Sequence, residues 1–386
     1  MSDKFQIVGS LLRPADLLKY KRQIEHNDKI TYPFYADLEG YEECEYEATK
    51  DIISKQIEHG LETISDGEYS KSLWHLDFVW GIQGIERRIA EHGYFFREKG
   101  EDAKYDYETR RDIGLQFTGE FSGKNHHFIK IFKRILSLSD GKNTKLCIPS
   151  PSQIFGEFSW SQNIVDKHLI YGTPQELKAA LLGAYKEFVE EYAAAGGKIL
   201  QLDDCLWTMF AEDNPNSPFT GENIDPESLL ATANEFVELN NELISFGHNL
   251  GLKMWTHNCR GNYESRNMGG GSYDKIAELF LKKQNYDRFF IEWDDERAGS
   301  LNALSLFQDK AEIVLGLMSS KTNTLDDEAR IIRLLDEACK IVGKERLFLS
   351  HQCGFASCDG GNELTEVEQW AKIEQGQKIA LQYWGK

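Results

Sequence analysis

The chain has 386 residues, a net charge of −19, 41% hydrophobic residues and 28% charged residues. This composition is ordinary for a globular protein and too apolar for a disordered one. The acidic balance argues against nucleic acid or an anionic membrane surface as partner.

The longest apolar-leaning stretch, residues 177–196, is interrupted by Lys178, Lys186, Glu187, Glu190 and Glu191, so no membrane span is expected. The opening MSDKFQIVGS lacks the apolar core and cleavage site of a secretion signal. Seven scattered cysteines, an odd number, do not read as a disulfide framework. They suit mostly buried thiols in a cytoplasmic protein, with room for a metal site.

Short β-rich runs are expected at residues 5–8, 62–65, 145–148, 198–202, 252–256, 288–291, 312–317 and 346–349. Amphipathic stretches separate most of them. Residues 173–195 carry Thr173 as a cap, Pro174 at the first helical position, Glu176 in the first turn, and Leu177, Leu181, Tyr185 and Phe188 at helical spacing. Residues 225–250 repeat the pattern behind Asp225 and Pro226, and residues 325–342 give a third helix. Eight strands alternating with helices predict an α/β fold, a (β/α)8 TIM barrel forming one catalytic domain over residues 1–386. Residues 70–140 break the repeat and are expected as an insertion between the second and third strands. Within it, 68–88 is aromatic and glycine-rich, 97–111 is charged, and 114–121 with 126–132 is expected as a strand pair.

In such a barrel the C-terminal strand ends face one cavity. His257 and Cys259 follow the fifth strand, and residues two apart at a strand end point to one side. Glu292 ends the sixth strand. A carboxylate there is costly to bury unless it is paired or holds a metal. Cys353, followed by Gly354, lies past the eighth strand; His351 and, less favoured, Cys358 compete with it. His257, Cys259, Glu292 and Cys353 form a donor set suited to Zn²⁺. Ser10, Asp66, Glu68, Asp203 and Asp204 stand at other strand ends, as caps or as site residues. Carboxylates and a hydroxyl facing zinc suit a small substrate with an ammonium group and a thiol. Arg13 either holds a substrate carboxylate or pairs with an acidic neighbour. Gly269-Gly270-Gly271-Ser272 is either a loop or an anion cradle. There is no P-loop pattern.

The set Val8-Gly9-Ser10, Asp66-Gly67-Glu68, Gln201-Leu202-Asp203, His257-x-Cys259, Ile291-Glu292 and Cys353-Gly354 resembles the catalytic C-terminal half of cobalamin-independent methionine synthase, in order from about residue 5 to about residue 380. The resemblance implies a (β/α)8 barrel. It implies zinc on His257, Cys259, Glu292 and Cys353, with Glu292 as a labile ligand. It implies homocysteine contacts from Ser10, Glu68 and Asp203, the two carboxylates on the amino group and serving catalysis. The activity implied is that of a 5-methyltetrahydropteroyltriglutamate–homocysteine S-methyltransferase, with homocysteine or a similar thiol as acceptor. Two departures stand out. The synthase's N-terminal half has no counterpart here, and its histidine near the seventh strand is replaced by Gly316-Leu317-Met318-Ser319-Ser320-Lys321. A serine is too weak an acid to protonate a folate leaving nitrogen, so low turnover with methyltetrahydrofolate alone is expected. The run from His257 to Asn262 looks more like stand-alone members such as epoxyalkane:coenzyme M transferase. An alkyltransferase for another thiol, or a barrel that binds a sulfur amino acid without chemistry, is therefore the alternative. Uroporphyrinogen decarboxylase relatives rank third.

Overall fold

The computed structural model describes residues 2–99, 106–213 and 215–385. Seven strands form one parallel sheet in chain order: Thr63–Ile64, Asn143–Pro149, Ile199–Asp203, Lys253–Asn258, Arg288–Glu292, Glu312–Met318 and Leu347–His351. Each coincides with an expected run. A sheet built strictly from sequential neighbours keeps turning in one sense, and this one curls.

The first expected strand lies between the two edges. Phe5 bridges Leu349 in parallel, with Gln6 N–H donating to Leu349 O at 2.8 Å and Leu349 N–H to Lys4 O at 2.9 Å. On its other side Ser65 Oγ donates to Gly9 O at 2.8 Å and Leu11 N–H to Gly67 O at 2.9 Å. Lys145 secures this join from within. Its buried amine nitrogen donates to Ile7 O, Val8 O and Gln201 Oε1, each at 2.7 Å. Below it Val8, Ile199, Trp255, Phe290, Val314 and Phe348 fill the inside of the curl.

The larger core lies between the sheet and the helices. Pro174–Ala194 begins with a complete capping box between Thr173 and Glu176. Pro226–Asn249 is capped by Asp225. Glu328–Val342 starts later than expected: Asp327 is its cap, and Asp326 instead accepts from Ser319 N–H at 2.9 Å. None of the described helices is long and apolar enough to cross a membrane.

The strand pair expected within residues 70–140 does not form. Gly114–Ser122 is a strand, but its antiparallel partner is Gln83–Arg88. Residues 126–132 are not a strand. His127–Leu138 is a helix, because Phe128, Ile131, Phe132 and Ile135 recur at helical spacing and all are buried. This helix leads directly into Asn143–Pro149. The side sheet also takes in Ile164–Val165, which lies beyond residue 140. Of the charged stretch 97–111, residues 100–105 lie outside the described residues.

Candidate active site

The strand ends surround one cleft lined by Ser10, Glu68, Asp203, His257, Cys259 and Cys353 among others. Six of the expected site residues therefore share one cavity. Its walls add the aromatic rings of Trp74, Tyr94, Phe96, Phe219 and Tyr263 to a largely apolar lining.

The Lys253–Asn258 strand runs further than its apolar pattern, so His257 belongs to it and Cys259 follows directly. The ligand atoms of His257, Cys259 and Cys353 lie within 4.8 Å of one another, and all three residues are buried. Gly354 allows Cys353 its place through a close approach rather than an unusual φ. A Cβ there would meet Ser10 Oγ at 2.0 Å. The thiols of Cys259 and Cys353 are both pushed well up. For Cys259 the sulfur–sulfur contact with Cys205 is foremost, for Cys353 the contact with Cys259, and burial adds to each. A cation among them would reverse that sign. Nitrogen and sulfur donors crowded in a buried cluster fit a soft divalent metal such as zinc.

Glu292 does not join the three at that distance. It is buried, and its Oε2 accepts from Arg260 N–H at 2.7 Å while Oε1 accepts from Arg297 Nη2 at 3.1 Å. His351 also lies outside the cluster. Burial pushes its imidazole down to about 3, and its ring packs edge-on against Phe5 and Phe355. Cys358 lines the cleft without reaching the cluster.

Sheet register sets Asp203 beside His257, with Asp203 Oδ1 and His257 Nδ1 3.9 Å apart. Asp203 Oδ1 accepts from Gln201 Nε2 at 2.7 Å. Glu68 faces it from the loop after Thr63–Ile64: carboxylate oxygens of Glu68 and Asp203 and the Cys147 sulfur lie within 4.8 Å of one another. Glu68 holds a left-handed backbone with φ 61, fixed by its N–H donating to Asp66 Oδ1 at 3.0 Å. Burial first, and the charge of Glu68 second, push the Asp203 carboxyl up. A cation between the two carboxylates would relieve that repulsion. Asp66 and Asp204 have structural roles: Asp204 accepts from Trp207 Nε1 and Asn240 Nδ2, and Asp66 from Ser70 Oγ.

Arg13 is not among the lining residues. Its guanidinium donates to the carbonyls of Ala356, Cys358, Glu68 and Lys71 and lies 3.6 Å from Asp359. It ties three loops together, in keeping with the acidic-neighbour alternative. The glycine run is a loop held by protein partners. Gly270 N–H donates to Glu212, and Gly269 O and Gly271 O accept from Arg297 and Arg260. Its carbonyls face cations, which is the wrong polarity for an anion cradle.

Among the lining residues that sequence reasoning passed over are Cys205 and Glu157. Cys205 Sγ stands 3.2 Å from Cys259 Sγ. The signal was its place two residues after Asp203, on the same side of a strand end. Glu157 lies on the helix Pro151–Trp160 and is buried in the cleft wall. The signal was Ser150-Pro151, a helix start directly after a strand.

No protein-family profile matches the chain. The uncharacterized protein YxjH of Bacillus subtilis is 34% identical over 379 residues, 98% of this chain and 93% of that protein. YxjG of the same organism is 29% identical over 378 residues, with the same coverage. A candidate vitamin B12-independent methionine synthase of Listeria monocytogenes superposes with a TM-score of 0.68 at 28% identity, over 98% of this chain and 97% of its own. A B12-independent methionine synthase of Shewanella sp. W3-18-1, solved with selenomethionine, gives 0.69 at 17% identity over the same shares and shows a common fold. The chain thus belongs to the family of B. subtilis YxjH, and over nearly its whole length it is similar to solved cobalamin-independent methionine synthase structures.

Proposed function

We propose that the protein is a zinc-dependent methyltransferase that converts homocysteine to methionine, using methyltetrahydrofolate or another methyl donor. The observation that carries this reading is the adjacency of two subsites. The sulfur- and nitrogen-rich cluster of His257, Cys259 and Cys353 borders the carboxylate pair of Glu68 and Asp203, with 3.9 Å between His257 and Asp203. A thiol and an ammonium separated by three carbons suit that spacing.

His257, Cys259 and Cys353 would hold the zinc. Glu292, shared with Arg260 and Arg297, would be the exchangeable fourth ligand. The ion supplies, when bound, the acidity that turns a thiol into a thiolate near neutral pH. The rest is the work of the chain. Glu68 and Asp203 hold the substrate ammonium, an arrangement stronger than a neutral hydrogen bond. Lys71 Nζ, 3.2 Å from Glu68 Oε1, fixes that carboxylate. The aromatic walls exclude water and offer flat faces to a planar donor. Held side by side, thiolate and methyl group react with little further loss of freedom. The same reading takes the chain as one barrel domain.

Glu68→Gln and Asp203→Asn test the reading. Each is expected to weaken binding of homocysteine by 10-fold or more, while a thiol lacking the amine loses under 2-fold. Calorimetric titration of both thiols separates the cases. Equal losses would reassign the two carboxylates to holding the fold.

A further inference from the structure

Among the described residues, Glu157 forms no ion pair with a lysine or arginine. It is 1% exposed, and the group nearest to a counter-charge is His75, whose Nε2 lies 4.0 Å from Glu157 Oε2. Burial pushes that imidazole down to about 3, so it is neutral. The Glu157 Oε1 atom accepts from the Tyr94 hydroxyl at 3.0 Å, and the Tyr94 oxygen lies 3.0 Å from His75 Nε2. With Tyr94 donating to Glu157, the neutral imidazole donates to Tyr94. The chain of donors therefore runs from His75 through Tyr94 and ends on one oxygen of the carboxyl. All three side chains line the cleft that holds Cys259 and Cys353. Burial raises the Glu157 carboxyl to about 8, and hydrogen bonds from Tyr94 and Ser161 offset this only in part. A carboxylic acid kept neutral in an apolar wall is the form suited to giving up a proton.

We propose that Glu157 is the general acid that protonates the departing nitrogen of an amine-type methyl donor, with Tyr94 and His75 as positioning residues. The proposal rests on the methyltransferase reading above. The homocysteine sulfur forms a bond to the methyl carbon as the carbon–nitrogen bond of the donor breaks. The electron pair of that bond stays on nitrogen, and the Glu157 proton moves to it. The carboxylate left behind accepts the Tyr94 O–H and regains a proton from solvent before the next turnover. Glu157 thus fills the role that Gly316–Lys321, which has no imidazole, cannot fill. The expectation of low turnover with methyltetrahydrofolate is replaced by this one.

The test uses the full zinc-loaded chain with homocysteine and two donors. Methyltetrahydrofolate needs a proton on its leaving nitrogen, whereas a methylsulfonium donor leaves as a neutral sulfide and needs none. Glu157→Gln is expected to lower kcat with the folate by about 100-fold or more near pH 7, and Tyr94→Phe and His75→Gln by smaller factors. Turnover with the sulfonium, and homocysteine affinity measured without donor, are expected to stay within 3-fold of the unmodified protein. Affinity serves as the control if the sulfonium is not accepted. The assignment is overturned if Glu157→Gln keeps a third or more of the folate turnover. Equal losses with both donors, an equal loss of homocysteine affinity, or unmodified protein that uses the sulfonium but not the folate also overturn it. Unmodified protein that methylates homocysteine with neither donor overturns this assignment, and if methylcobalamin also gives no methionine, the methyltransferase reading falls with it.

Discussion

The sulfur contact with Cys205 makes Cys259 hold its proton more tightly, and the contact with Cys259 does the same to Cys353. A metal ion relieves that crowding by taking the protons' place. Unmodified protein is expected to carry one zinc per chain after gel filtration, and His257→Ala and Cys259→Ser to lose most of it. Cys205→Ser is expected to keep it, because Cys205 is not within 4.8 Å of all three cluster atoms. Metal analysis of the purified variants checks this, and full zinc in the His257→Ala, Cys259→Ser double variant would contradict it. His257, Cys259 and Cys353 were legible in the sequence because a strand end fixes which side a residue faces. Glu157 was not. It sits in a short helix buried on nearly every face, so no apolar stripe announced which side met the cleft. Arg13 was legible only as a cation, since the carbonyls it binds come from two distant loops.

At the scale of elements, local chemistry decided most outcomes. In the capping box of Pro174–Ala194, Thr173 Oγ1 accepts from Glu176 N–H at 3.2 Å and Glu176 Oε2 from Thr173 N–H at 3.0 Å. Thr173→Ala is expected to destabilise the protein by about 1 kcal/mol, read as a lower urea midpoint at constant slope. No change would mean that packing alone holds the helix start. Strands and caps were legible because period and capping are short-range signals. Residues 126–132 misled because a short apolar run does not by itself separate strand from helix. What decided it was packing: the Phe132 ring packs tilted against Tyr192 at 4.5 Å and the Phe128 ring edge-on against Phe78 at 5.8 Å. The pairing of Gly114–Ser122 with Gln83–Arg88 is likewise a contact between distant segments, and no local pattern states it.

Across the whole molecule, the curled sheet gathers strand ends that are hundreds of residues apart in sequence and makes stability depend on protons held inside. Glu157 keeps its proton up to about 8 in the folded chain, against 4.5 when exposed. Between those values the folded state binds more protons than the unfolded one, so stability falls as pH rises. The contribution is complete below about pH 4.5 and is lost as pH passes about 8. Glu157→Gln removes this slope. The stability difference between Gln variant and unmodified protein is expected to move in favour of Gln by roughly 1.4 kcal/mol per pH unit across that window. Urea unfolding at several pH values measures it, and parallel curves would contradict a protonated Glu157.

The central claim is methyl transfer to homocysteine in the cleft formed by Ser10, Glu68, Asp203, His257, Cys259 and Cys353. The most direct measurement follows an isotope-labelled methyl group by mass spectrometry from methyltetrahydrofolate, methylcobalamin or a methylsulfonium donor. The zinc-loaded protein is predicted to yield labelled methionine from at least one of them, with the yield abolished in Cys259→Ser. Absence of labelled methionine from all three, in protein that carries its zinc, would contradict the account.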